Sequence, residues 1–320
     1  MLGVTMGDAS GVGPEIVLKA HQENELPCDC MVIGDHAILE LAREMLDLHV
    51  SMRRMKDADD FQPGCLNVCD MGLLQGSDLA VGRISRDAGQ AALRYVERAT
   101  RLALSGSIDA MVTLPVNKEA ARLTEKNFTG HTEFIASICG RTKTAMMLAC
   151  DKLIVTHVST HVSQRAAIEN VKADRVHEVI RLTEEMVRKL RPRARIAVAG
   201  LNPHAGEGNA FGTEDRCEIE AAVMRARDEG LDVCGPIPAD TVFYQTVHGR
   251  YDAVVCMYHD QGHIPVKLLD FDGAVNVTLG LQIVRTSVDH GTAFDIAYKG
   301  IASTRSFVNA CGMAVKLARG

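Results

Sequence analysis

Short apolar runs, each closed by a polar or glycine-bearing turn, recur along the whole 320-residue chain. Leu2 to Met6 is such a run; it ends at Gly7-Asp8-Ala9-Ser10-Gly11-Val12-Gly13-Pro14-Glu15, after which Ile16-Val17-Leu18-Lys19-Ala20 takes up helical spacing. Runs of this length predict buried strands, and the periodic stretches between them predict helices. Met31-Val32-Ile33-Gly34 and the stretch from His36 to about Leu46 repeat the arrangement. Ile84, Ala88, Ala91, Ala92, Val96, Ala99 and Leu102 predict a helix within 83–104, and Asp109 to Thr113 a strand running into Leu114-Pro115-Val116-Asn117-Lys118-Glu119. Further strands are predicted near 152–156, 195–200 and 251–257, a short helix over 134–139 capped by Thr132, and an amphipathic helix over 173–190 with Pro192 beyond it. The alternation predicts an α/β fold, with no internal repeat, low-complexity tract or linker.

Three of these strands deliver a histidine just past their carboxyl ends: Ser159-Thr160-His161, Asn202-Pro203-His204 and Met257-Tyr258-His259. Ligands in open α/β sheets bind in the crevice at those ends, and neutral imidazoles are common ligands of divalent metals. A lone histidine is more often a satisfied core or surface residue, but three in one context point to a shared site. His157 and His161 have ligand spacing for a helix, yet the β-branched residues around them favour extended chain, so they are not paired. The turn from Gly7 to Glu15 can present backbone amides to an anion, although it matches neither a Walker loop nor the G-x-G-x-x-G fingerprint, and alone it is a tight turn. Lys118 could hold a phosphate or carboxylate; a solvated charge is the simpler account. Arg285 follows a long, weakly charged run from Val275 to Val284, which argues against a solvated guanidinium and for a bound carboxylate or phosphate.

Composition narrows the function classes. A net charge of -6 and a pI near 6.1 exclude a general attraction to nucleic acid or anionic membrane. No apolar run approaches the roughly 20 residues of a membrane span, and no targeting segment is visible, so a cytoplasmic protein is expected. The ten cysteines, among them Cys28, Cys30, Cys65 and Cys69, lack the second pair of a structural zinc module and are expected to be reduced thiols.

Seven blocks in order, GDASGVGPE, TLPVNKE, GHTE, STH, GLNPHAGE, MYHDQGH and RTSVDHGTAFDIA, give the chain a resemblance over nearly its whole length to the 4-hydroxythreonine-4-phosphate dehydrogenase family. The resemblance implies divalent-metal ligands at His161, His204 and His259. It implies substrate contacts at His131, Thr132, Lys267, Asn276 and Arg285, with Lys267 also a candidate catalytic base. It implies two α/β domains with a central cleft, similar to isocitrate and isopropylmalate dehydrogenases. Residues 1–120 plus 275–320 would carry the cofactor loop, and 121–274 the metal histidines and dimer contacts. A homodimer with its active site at the subunit interface is expected. A loop resembling Gly291-Thr292-Ala293-Phe294-Asp295 would hold the adenosine part of NAD or NADP, which accounts for the missing Rossmann fingerprint.

The implied reaction is oxidation, with decarboxylation, of a phosphorylated four-carbon hydroxy acid such as 4-hydroxythreonine 4-phosphate or D-threonate or D-erythronate 4-phosphate. A zinc, magnesium, cobalt or manganese ion would lower the hydroxyl pKa so that hydride can leave to the nicotinamide. The wording around His161 and Lys267 is more similar to the D-threonate/D-erythronate branch. A branch acting on cis-dihydrodiols of aromatic carboxylates is the alternative; a metal-dependent hydrolase or aldolase, or a sugar-phosphate sensor, stands further off. Ala9-Ser10, Gln282 and Tyr298 depart from the family's usual proline-alanine, proline and glycine.

Overall fold

In the computed structural model, which describes residues 1–27, 29–56 and 60–320, the apolar runs are strands and the periodic stretches helices. The first part of the chain forms β1 (Leu2–Thr5), α1 (Gly13–Gln22), β2 (Cys30–Gly34), α2 (His36–Met45), β3 (Met52–Met55), β4 (Leu66–Asp70), α3 (Arg86–Leu104), β5 (Ala110–Thr113), α4 (Lys118–Arg122) and α5 (His131–Ile138). It continues with β6 (Ala145–Cys150), β7 (Leu153–His157), α6 (Gln164–Glu169), α7 (Ala173–Leu190), β8 (Ile196–Ala199), α8 (Ala221–Asp228) and β9 (Val233–Ile237). The last part forms α9 (Ala239–Val247), β10 (Ala253–Cys256), α10 (His259–Leu269), β11 (Val275–Leu279), β12 (Val284–Val288) and α11 (Arg305–Arg319).

Contacts divide the chain into one unit of Met1–Thr144 with Leu281–Ala318 and a second of Ala145–Gly280 with Arg319–Gly320. The expected boundaries lay at 120 and 274, so residues 121–144, with His131 and Thr132, group with the first unit rather than the second.

The strands of the first unit run β3-β4-β2-β1-β5-β12, all parallel. Thr5 pairs with Thr113, which pairs with Ser287, so the carboxyl ends of β1, β5 and β12 are level. That register brings the turn after β1, the start of α4 and the loop after β12 to one edge. Buried strands such as β1 and β5 read as unbroken apolar runs because both faces are covered. Asn117 caps α4, its Oδ1 accepting from the Ala120 amide at 2.9 Å, which makes Lys118 the first helical residue. A methyl group on Gly89 would lie 2.4 Å from the Ala120 carbonyl carbon, so α3 and α4 cross with backbones in contact. The expected Thr132 cap does not form: α5 starts three residues earlier than 134, at His131, with Gly130 as its N-cap and no side-chain cap.

In the second unit the order is β11-β6-β7-β10-β8-β9. β7, β10, β8 and β9 are parallel, while β6 is antiparallel to both β7 and β11. Strict strand-helix alternation fails at β6 and β7 because only Asp151-Lys152 join them, too few residues for the crossover a parallel pair needs. Leu148, Val155, Ala197, Val254, Cys256 and Val266 form its core.

Among the described residues the nine cysteines are free thiols; Cys28 lies outside them. No helix among the described residues is long and apolar enough to cross a membrane.

Candidate active site

In the first unit, Arg285 on β12 is 3% exposed, and its guanidinium donates to Thr113 Oγ1 at 2.6 Å. Burial lowers its pKa to about 10, with the Glu133 carboxylate pulling the other way, so it stays charged. His131 opens α5. Burial, then the charges of Arg285 and Lys118, lower its pKa to about 3, which keeps the imidazole neutral. Its Nε2 is buried without a hydrogen-bond partner. Thr132 follows it on the first turn. Lys118 reaches the same place: a methyl group on Gly130 would lie 3.9 Å from Lys118 Nζ and 3.0 Å from Glu133 Oε2. His131 and Arg285 are thus brought together, with Thr132 next along α5, and Lys118 joins them.

The segment Gly291–Asp295 lies in the loop between β12 and α11, braced on the turn after β1. Val12 N donates to Thr292 O at 3.0 Å, and the buried Tyr298 hydroxyl donates to Ala9 O at 2.7 Å. Burial, then Asp8 and Glu15, push the Tyr298 hydroxyl far up, so it remains a donor. Tyr298 has φ 58 and Ala293 φ 42, the left-handed region that side chains avoid. The sequence marks Tyr298 as a departure from glycine; its hydrogen bond to a turn 289 residues away has no local signal.

In the second unit β7 and β8 flank β10, both parallel to it, so the three histidine-bearing strand ends lie side by side. His259 and His161 have ring centroids 5.7 Å apart. His263 stacks on His259 at 3.6 Å, and its Nδ1 lies 3.1 Å from His157 Nε2. His157 Nδ1 faces Met146 O at 3.3 Å; burial, then the neighbouring His263, lower its pKa to about 3. Sequence reasoning set His157 aside and did not single out His263. The four-residue spacing of His259 and His263 was the available signal, masked because Gly262 and Pro265 argue against the helix that α10 forms.

His204 does not join this group. Asp215 fixes the segment's start by accepting from the Leu201 and Asn202 amides at 2.8 and 3.0 Å. Residues 204–208 then run left-handed, with φ of 53, 54, 81, 40 and 65, and His204 Nδ1 turns to Glu207 Oε2 at 3.1 Å. Among the described residues no three His, Cys, Asp or Glu side chains are grouped to hold a metal ion. The structure therefore assembles two of the three expected imidazoles, and a pair alone does not complete a coordination shell. Lys267 Nζ lies 5.3 Å from the Phe271 ring centroid, and Asn276 is buried in β11 with its Oδ1 unpartnered.

The first unit can therefore hold an anion beside a neutral imidazole, and the second offers clustered ring nitrogens. The family model described as pyridoxal phosphate biosynthetic protein PdxA matches residues 27–314. The chain is 44% identical to the D-threonate 4-phosphate dehydrogenase of Salmonella typhimurium, over 99% of this chain and 98% of that protein. It is also 44% identical to the 4-hydroxythreonine-4-phosphate dehydrogenase of Geobacter metallireducens, over 99% and 95%. A crystal structure of 4-hydroxythreonine-4-phosphate dehydrogenase from Klebsiella pneumoniae superposes with a TM-score of 0.89 at 41% identity, covering 99% of both chains. A β-decarboxylating dehydrogenase from Thermococcus kodakarensis, 13% identical over 99% of this chain and 82% of its own, shares the fold at a TM-score of 0.52.

Proposed function

Because the chain belongs to the PdxA family, we propose that it is a dehydrogenase of a phosphorylated four-carbon hydroxy acid. The observation that carries this reading is a guanidinium only 3% exposed next to a neutral histidine whose Nε2 has no partner. Arg285 anchors an anionic group of the substrate through its fork, and His131 and Thr132 orient the carbon skeleton. D-threonate 4-phosphate leads the candidates, as the name of the Salmonella typhimurium relative and the wording around His161 both favour it.

The oxidant in this reading is NAD or NADP, its adenosine part against Gly291–Asp295, and oxidation is followed by loss of carbon dioxide. A divalent ion (zinc, magnesium, cobalt or manganese) would be held by His161, His204 and His259; when bound, such an ion lowers the pKa of a ligated hydroxyl and stabilises developing negative charge. His204 stands outside the pair in this structure, in a left-handed segment with its Nδ1 facing Glu207. Lys267 is the candidate acceptor of the hydroxyl proton, and Asn276 the candidate amide for a substrate hydroxyl. The protein works as a homodimer: α10 exposes Ile264, Leu268 and Phe271 follows it, an apolar stripe of the kind subunits bury. The free thiols fit a reducing compartment such as the cytoplasm.

The test is absorbance of the reduced nicotinamide with NAD or NADP against D-threonate, D-erythronate and 4-hydroxythreonine 4-phosphates and an aromatic cis-dihydrodiol. Turnover is expected with a phosphorylated acid, lost on chelation and restored by a divalent ion. Reduction of neither nucleotide by any of them overturns the reading. Equal rates with and without chelator overturn its metal part.

A further inference from the structure

Lys118 is not among the residues that the family resemblance assigns to substrate, yet its ammonium sits at the mouth of α5. We propose that Lys118 is a binding residue for the substrate's phosphate group, completing with Arg285, His131 and the first-turn amides of α5 one oxyanion pocket in the first unit. The inference rests on the reading that the substrate carries a phosphate.

Three separate elements converge to make the pocket. Lys118 is held at the start of α4 by the Asn117 cap, and its ammonium lies within van der Waals reach of a methyl group placed on Gly130, the N-cap of α5. Arg285 comes from β12, buried and hydrogen-bonded to Thr113. His131 brings a buried, unpartnered Nε2 from the start of a helix whose N-cap, Gly130, has no side chain to cap it. With His131 neutral, two cations, the buried Arg285 and the exposed Lys118, face the carboxylate of Glu133, leaving net positive charge at the site. A carboxylate needs one fork and one charge. A phosphate monoester carries nearly two negative charges and three acceptor oxygens, so the guanidinium fork can take two oxygens and the ammonium the third.

The experiment compares wild type with Lys118→Gln and Lys118→Arg, using inorganic phosphate and acetate as probes. Binding is followed by calorimetry and by the His131 ring resonance in NMR, alongside steady-state kinetics with D-threonate 4-phosphate. Thermal unfolding checks that each variant is folded. Lys118→Gln is expected to weaken phosphate binding and raise KM by at least about tenfold, the scale of one charged hydrogen bond. The same variant should hold kcat within about threefold, as loss of uniform binding does. Its His131 resonance should titrate at higher pH, since a neighbouring charge is gone, and Lys118→Arg should recover most of the affinity. Unchanged phosphate affinity and KM in a folded Lys118→Gln overturn the role of Lys118 and leave the site reading standing. Wild type that does not bind phosphate, or whose acetate binding is the affinity lost in the variant, overturns the phosphate pocket itself.

Discussion

Asp8 stands where β1 hands over to the glycine-rich turn, fully buried, with one carboxylate oxygen accepting from the Ser10 amide at 2.9 Å and the other unpartnered. Burial outweighs the backbone hydrogen bonds from Ser10 and Asn117 and raises its pKa from 3.8 to about 6. The native state therefore keeps a proton that the unfolded chain releases, and stability from this residue falls as pH rises from about 4 to 6. His131 acts in the opposite sense: its pKa is depressed to about 3, so its contribution is full above about 6.5 and falls as pH drops. Asp8→Asn separates the two. Relative to wild type, the variant should gain about 2–3 kcal/mol of unfolding free energy on going from pH 4 to pH 7. Denaturant unfolding at several pH values measures it, and identical pH profiles would show that the carboxyl titrates normally.

At the scale of elements, the crossing of α3 over α4 governs where Lys118 sits. Gly89→Ala gains about 1 kcal/mol of helix propensity, but its methyl would meet the Ala120 backbone at 2.4 Å. Backbone cannot swing aside as a side chain does, so a net destabilisation of about 1–3 kcal/mol is expected, read as a lower melting temperature. A higher melting temperature would mean that the crossing is loose. Sequence pattern finds elements such as α7, whose approximate span it predicts, because a long amphipathic period bounded by proline is a local signal. It misses α10 because Gly262 and Pro265 carry breaker signals that tertiary packing overrides. The antiparallel β6 and β7 escape it for another reason: pairing direction depends on connection length and neighbours, not on which positions are apolar.

For the whole molecule, α10 and the residues just after it expose Leu268 to 85% and Phe271 to 72%, a costly display for a monomer. Under the proposed homodimer, Leu268→Asp should shift sedimentation toward the single chain while leaving the melting of dilute protein little changed. A dimer that survives the charge would place the interface elsewhere. The seven sequence blocks name residues that the fold sorts in an order the chain does not show. His131, Thr132, Arg285 and Gly291–Asp295 fall in the first unit, whereas His161, His204, His259, Lys267 and Asn276 fall in the second. No local pattern reveals that sorting, because β12 returns from the far end of the chain to lie beside β5. That return sets a schedule for synthesis. A ribosome releases Ala145–Gly280 before Leu281–Ala318, so the histidine-bearing half has all but its last two residues while the amino-terminal half still lacks its sixth strand. A nascent polypeptide stalled at Gly280 thus has its imidazoles but no guanidinium at position 285, and competence for anions arrives only with the final segment translated.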